Sequence, residues 1–214
     1  MRTTYSVKEA YYTLQGEGAQ TGRAAVFLRF SGCNLWSGLE RDRLSAVCQF
    51  CDTDFVGTDG VGGGKFTSAE AVADHVDTIW NANAAGGSKY VICTGGEPLL
   101  QLNDALIAAL HEHGFAIGVE TNGTLAAPEG LDWICVSPKA DADIVLTCGH
   151  EIKLVYPQPL AMPERFSDLD FDHFFLQPMD GPEIAQNVEA TAEYCMKNPK
   201  WRLSLQTHKL IGLP

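Results

Sequence analysis

Ser31-Gly-Cys33-Asn-Leu-Trp36 and, after a polar insert, Cys48-Gln-Phe-Cys51-Asp52-Thr53 form the stretch whose reading decides the fold. Fourteen residues separate Cys33 from Cys48, and two separate Cys48 from Cys51. A Cys-x-x-Cys pair turns two thiolates toward one metal or cluster face, and Cys33 can join them from the end of the preceding strand. No histidine lies between Cys33 and Cys51, so the set is three sulfurs. A closed structural zinc site takes four ligands, whereas a [4Fe–4S] cubane held by three thiolates keeps one iron open to a small molecule. Spacing alone leaves cluster, zinc and redox readings open.

Upstream, Val7–Thr13 reads as a strand broken by the glycines of Leu14-Gln-Gly-Glu-Gly18, and Ala24–Phe30 as an apolar strand carrying one arginine. With a period of two, Arg29 shares a face with Ala25 and Phe27 and points to the side of Ser31. Downstream, the glycine-rich Thr58–Lys65 reads as a flexible loop. Thr67-Ser-Ala-Glu70 is a capping-box pattern that opens a helix to about Asn81, with Ala71, Val72, Val76 and Ile79 on its apolar face.

The rest of the chain repeats one theme. An apolar strand runs straight into a polar or glycine-rich motif: Tyr90–Cys93 into Thr94-Gly-Gly-Glu-Pro98, Phe115–Val119 into Glu120-Thr-Asn-Gly123, and Trp133–Val136 into Ser137-Pro-Lys139. Glu151–Val155 follows, then His173–Leu176 into Gln177-Pro-Met-Asp180, and Trp201–Leu205 into Gln206-Thr-His208-Lys209. Helices are expected over about Asn103–His113 and Pro182–Lys197, and for the short apolar tail Lys209–Pro214 fraying is the default reading from composition alone. Strands alternating with helices imply a mostly parallel sheet, and in such sheets the strand ends share one rim where ligands bind. About six parallel strands in roughly 200 residues cannot close an eight-stranded barrel, so the expected fold is a partial TIM-like βα barrel of class α/β. A single domain spanning 1–214 is expected, with the cysteine loop at about 31–53.

A net charge of −12 disfavours nucleic-acid binding, and no apolar run reaches the ~18 residues needed to span a bilayer. The start Met-Arg-Thr-Thr-Tyr does not read as a signal peptide, so a cytoplasmic protein is expected. Seven cysteines in such a chain favour metal or cluster ligation over disulfides. Cys93, Cys135, Cys148 and Cys195 lack partner spacing and read as ordinary thiols.

Three cysteines with Gly95-Gly-Glu-Pro98 resemble the radical S-adenosylmethionine superfamily, although its usual Cys-x3-Cys-x2-Cys motif has a shorter first gap. That departure, with Tyr12-Thr-Leu-Gln-Gly-Glu-Gly18, Cys51-Asp-Thr-Asp54, Glu120-Thr-Asn-Gly123, Ser137-Pro-Lys139 and Gln177-Pro-Met-Asp-Gly181, resembles the 7-carboxy-7-deazaguanine synthase family nearly from end to end. The resemblance implies conversion of 6-carboxy-5,6,7,8-tetrahydropterin to 7-carboxy-7-deazaguanine with loss of ammonia, in 7-deazapurine and queuosine biosynthesis. It implies a [4Fe–4S] cluster, S-adenosylmethionine, Mg²⁺, a homodimer and a reducing electron-transfer protein such as a flavodoxin. The competing readings are a zinc-stabilised α/β binding protein and a radical enzyme acting on another heterocycle.

Residue by residue, the resemblance implies cluster ligation by Cys33, Cys48 and Cys51. It implies S-adenosylmethionine contacts from Phe50, Cys51, Asp52, Gly96, Glu120, Ser137, Pro138, Lys139, Gln177, Pro178, Met179 and Asp180, with Glu97 near the bound ammonium. Substrate contacts fall to Leu14, Gln15, Gly16, Glu17, Arg29 and Thr94, to a terminal carboxylate on Pro214, and Mg²⁺ to Thr53. Arg29 also has an argument of its own: a guanidinium inside an apolar strand must be paired, either by a ligand carboxylate or by an internal acid. His208 sits at the same rim.

Overall fold

The expected alternation becomes a single open sheet in the computed structural model, which describes residues 4–214. Nine strands lie in the order β3-β1-β2-β4-β5-β6-β7-β8-β9. They are β1 (Tyr5–Leu14), β2 (Ala24–Phe30), β3 (Gly64–Phe66), β4 (Tyr90–Gly95), β5 (Ala116–Thr121), β6 (Trp133–Val136), β7 (Cys148–Tyr156), β8 (Asp170–Pro178) and β9 (Arg202–Leu203). From β2 to β9 every neighbouring pair is parallel, and β1 and β3 add an antiparallel edge. The sheet does not close, so the partial barrel expected from the strand count is what forms.

Helical cover is thinner than strict alternation implies. The helix α1 (Ala69–Asn83) precedes β4, α2 (Asp104–Glu112) joins β4 to β5, and α3 (Ile184–Lys197) joins β8 to β9. The β5–β6 and β6–β7 crossovers carry no helix, and β7–β8 has only a 3-10 turn at Pro163–Phe166. The α1 cap is Ser68, whose side chain accepts from the Ala71 amide, one residue later than the expected Thr67 box. Ala69, Val72, Ala73, Val76 and Trp80 are its buried residues, so Trp80 joins the apolar face and Ala71 and Ile79 fall to its margin. The loop expected at Thr58–Lys65 ends in the short edge strand β3, and β9 keeps only two residues of the expected 201–205.

Parity along the strands sorts side chains into two environments. On β2, Val26, Leu28 and Phe30 pack with α1 and α2 in the main core, while Phe27 and Arg29 face the concave side. A second core cluster joins β6, β7 and β8 through Val136, Ile152, Leu154 and Leu176, with Trp201. The floor beneath the concave face is closed by Ala25, Tyr90 and Ile92. A register shift in β1 between Val7 and Glu9 is a bulge, and the consecutive residues Lys8 and Glu9 both line the concave cavity there. The unforeseen element is α4 (Thr207–Ile211): the tail is a helical turn, closed by Gly212 in the left-handed region at φ 71°. No described helix is long and apolar enough to cross a membrane.

Candidate active site

A cavity of about 450 Å³ opens at the C-terminal rim of the parallel strands. One wall is the cysteine loop. Its entry is tied to the segment after β4 by the Glu97 amide donating to the Gly32 carbonyl at 2.9 Å, and its two ends are tied to each other by the Gly32 amide donating to the Phe55 carbonyl at 3.1 Å. A side chain at Gly96 would put a Cβ 2.3 Å from the Gly32 carbonyl oxygen and 2.6 Å from the Cys33 Cβ. Gly96 is therefore glycine because the cysteine loop presses on it, beyond any ligand it also admits.

The fourteen-residue gap is a folded insert. Trp36 packs edge-on against Phe55, and Arg43 lies over the Trp36 ring at 4.1 Å. Arg43 donates to the carbonyls of Gln49 (2.9 Å) and Cys51 (3.0 Å) and pairs with Glu40. Those bonds turn the chain back so that Cys48 and Cys51 return toward Cys33. The proximity of Cys48 and Cys51 lowers the Cys51 pKa and raises that of Cys48, while burial raises Cys33. Among the described residues no three His, Cys, Asp or Glu side chains converge on a point able to hold a single metal ion. Three sulfurs on one loop, with Cys51 lining the cavity, suit a group larger than one ion with an edge open to the cavity. The zinc-site reading finds no fourth ligand here.

Glu97 departs from expectation. It is fully buried, turned away from the cavity, and accepts from Leu99 N (3.0 Å), Thr121 Oγ1 (2.7 Å) and Asn122 N (2.8 Å). Burial raises its pKa against those donors. It is a latch joining the ends of β4 and β5, because Gly95 at φ 150° breaks the strand parity before it.

The floor is acidic and centred on Lys153 of β7. Its Nζ lies 2.8 Å from Glu17 and 3.0 Å from Glu120. Glu17 also accepts from the side-chain amides of Gln177 and Gln206, both at 3.0 Å, and Glu120 from Gln15 at 3.0 Å. Burial works to raise the Glu17 pKa, but Lys153, Gln206 and Gln177 outweigh it and hold it at about 2. Arg29 points inward as its parity implied, and its Nε pairs with Glu9 at 2.7 Å, with Tyr11 Oη at 3.5 Å from Nη2. An internal acid thus meets one edge of the guanidinium, as the residues alone had left open.

The C-terminal segment forms the remaining wall. The Thr207 amide and hydroxyl both donate to Gly16 O at 2.9 Å. His208 covers Gly16 so closely that a Cβ there would lie 2.0 Å from Nδ1. Burial lowers the His208 pKa. Lys209 bridges Asp52 (3.2 Å) and Asp180, tying the cysteine loop to the end of β8. Pro214 lines the cavity, and its carbonyl-type oxygen accepts from Thr13 Oγ1 at 3.3 Å.

Of the sequence-predicted residues, Gln15, Glu17, Arg29, Thr94, Phe50, Cys51, Asp52, Thr53, Gly96, Glu120, Ser137, Lys139, Gln177, Pro178, Met179, Asp180 and Pro214 line this one cavity. Leu14, Gly16, Pro138, Cys33 and Cys48 stand outside its lining. Lys139 folds back to donate to the Ser137 carbonyl at 2.7 Å, and Thr53 makes no side-chain hydrogen bond among the described residues.

The Radical SAM superfamily pattern matches residues 44–152. The 7-carboxy-7-deazaguanine synthase of Caulobacter vibrioides is 64% identical over 99% of this chain and 100% of its own length. That of Bradyrhizobium diazoefficiens is 62% identical over 98% of this chain and 99% of its own. The chain belongs to the 7-carboxy-7-deazaguanine synthase family. The solved structure of QueE from Escherichia coli superposes with a TM-score of 0.70 at 25% identity, covering 94% of this chain and 93% of that one. Membership in this radical S-adenosylmethionine family carries with it a [4Fe–4S] cluster and S-adenosylmethionine, which the three-cysteine wall and the open rim suit.

Among the lining residues to which motifs alone assign no role are Lys8, Glu9, Tyr11, Lys153 and Lys209. Glu9 and Lys153 carried a signal, since each is a charge at a concave-facing position in a strand. Lys209 ends the strand-following motif Gln206-Thr-His208-Lys209, but its partners depend on a helical turn that the motif does not announce.

Proposed function

We infer that this chain converts 6-carboxy-5,6,7,8-tetrahydropterin to 7-carboxy-7-deazaguanine, the ring contracting and one nitrogen leaving as ammonia. The observation that carries the reading is a single cavity bounded by Cys51, Arg29 and the acidic floor, in a chain 64% identical to a synthase of that name. When bound, the cluster and S-adenosylmethionine would supply the radical chemistry that exchanges a hydrogen at C6 of the pterin.

The protein's part is to bind and orient. Arg29 meets Glu9 through Nε, and its guanidinium lines the cavity where it can donate to the substrate carboxylate. Glu17 and Gln15 offer acceptors and donors to the pyrimidine edge of the pterin, whose amino and ring N–H groups need acceptors. Gly96, Ser137, Lys139 and the Gln177–Asp180 turn form the wall proposed for S-adenosylmethionine. Cys33, Cys48 and Cys51 hold the cluster, the insert's Arg43 fixing the backbone of the last pair.

Thr53 is proposed to bind Mg²⁺, which takes few protein ligands and completes its shell with water and substrate oxygens. A homodimer, a flavodoxin-like reductant and a cytoplasmic setting complete the reading. The seven free thiols suit a reducing compartment. The test is one anaerobic assay with reconstituted protein, reductant, S-adenosylmethionine, Mg²⁺ and the carboxylated pterin, followed by mass detection. Product is expected; its absence with an intact cluster rejects the assignment.

A further inference from the structure

Lys153 is 4% exposed, yet its ammonium meets two carboxylates that both line the cavity. Among the described residues it is the one cation in ion-pair contact with Glu17 or Glu120. The other partners of those carboxylates are the neutral amides of Gln15, Gln177 and Gln206, which orient charge without cancelling it. A third carboxylate, Glu151, lies in the same buried group, where it accepts from the Ala19 amide at 2.7 Å and from Cys135 at 3.4 Å. We propose that Lys153 is a positioning residue, keeping Glu17 and Glu120 ionised side by side so that the cavity floor presents fixed acceptors to the ligand's N–H groups.

The argument is one of charge. Two half-buried carboxylates facing one space disfavour each other's charge, and partial burial disfavours both, so a shared cation is what lets them stay ionised together. Burial opposes the charge of Lys153, yet Cys135, Glu120, Glu17 and Glu151 push its pKa well above the ordinary lysine value, so it stays an ammonium. Glu151 is held toward its neutral form, chiefly by burial. The groups facing Glu17 and Glu120 from surrounding elements are Lys153 and Glu151 on β7, Cys135 on β6, Tyr90 on β4 and His208 on α4. Burial moves the His208 pKa below 6.5 and raises those of Cys135 and Tyr90, so the carboxylates of this group are what a change of pH above 6.5 would reach.

This inference rests on the proposed function, and its test separates the two. Affinity for the carboxylated pterin is measured anaerobically on cluster-reconstituted protein from pH 6.5 to 9, with iron content and circular dichroism alongside. The native protein is expected to show flat affinity over that range. Lys153→Met keeps the packing and removes the charge; its affinity is expected to fall about tenfold per pH unit below the raised carboxylate pKa and to recover as pH rises. Lys153→Arg keeps the charge and is expected to restore the flat profile. If Lys153→Met does not fold, Lys153→Gln, which also removes the charge but keeps a donor, is measured in its place and is expected to show the same pH dependence. A flat profile in the folded Met variant or the Gln variant overturns the inference while leaving the function standing. Native protein that binds no pterin overturns both.

Discussion

The two walls of the cavity are built on opposite plans. The cysteine wall is a loop of little regular structure, held by backbone hydrogen bonds at Gly32 and by one arginine on Gln49 and Cys51. The floor is built from strands, and its side chains satisfy one another: Lys153 with Glu17 and Glu120, and amides on both carboxylates. A loop whose donors are sulfurs can be completed by an added group, which supplies the missing bonds. A floor of buried charges must be complete before any ligand arrives, because an unpaired buried charge is too costly to wait for one.

The sharpest way to break this contrast is on the loop side. Cys51→Ala removes a sulfur that faces the cavity and is expected to abolish the cluster and bring product formation to background. Helical and strand content should remain, read by iron analysis, electron paramagnetic resonance and circular dichroism. Next in size is Arg29→Lys, which keeps the charge but loses the planar fork. Losing a charge-assisted hydrogen bond costs about 1.5–3 kcal/mol, so KM for the pterin is expected to rise about 10–100-fold with the cluster intact.

Two changes at the junction of loop and sheet are expected to be smaller and to act on stability. Gly96→Ala places a methyl 2.3 Å from the Gly32 carbonyl, and overpacking of that kind costs about 1–3 kcal/mol. Thermal unfolding should fall and iron retention with it. Glu97→Gln opposes its new NH2 to one of the N–H or O–H donors that the carboxylate accepts, at a cost of about 1–3 kcal/mol at neutral pH.

The pH dependence has a definite sign. The folded pKa of Glu97 is raised above its ordinary 4.5, so its proton-linked contribution is fully present below 4.5 and is lost as pH rises through the raised value. Glu97→Gln should flatten that part of the stability profile, measured by denaturant unfolding across pH. The smallest effect belongs to Lys209→Ala. Its ion pairs with Asp52 and Asp180 are part-exposed, and such pairs contribute about 0–1 kcal/mol. Stability should barely move, while loosening of the cysteine loop would be read as faster loss of iron to a chelator.

The parts of this architecture legible in sequence are those written as strand followed by motif. β2 and β6 are found at their observed bounds, and the rim residues Thr94, Glu120, Ser137 and Gln177 line one cavity because each follows an apolar run of a parallel sheet. Arg29 was placed on the concave face by parity alone. The same parity places Lys153 there, between Ile152 and Leu154 of the core, but no motif drew attention to it. Partners were harder to see than positions. That Glu9 would meet Arg29 depends on the β1 bulge, and that Glu97 would turn inward depends on the φ of Gly95. Neither is encoded in spacing. The order of the tail is not legible locally, because it comes from contacts more than 180 residues away, such as Thr207 on Gly16.

That last contact has a consequence for the order in which the enzyme comes into being. The residues joining Gly16, Glu17 and Asp52 across the cavity are Gln206, Thr207 and Lys209, which the ribosome adds long after the cysteines. A chain halted before them already has its three sulfurs and every strand of the sheet, yet its chamber lacks a side. The loop that would hold the cluster is thus translated early and enclosed late, which separates the making of a metal centre from the closing of the room in which radicals are released.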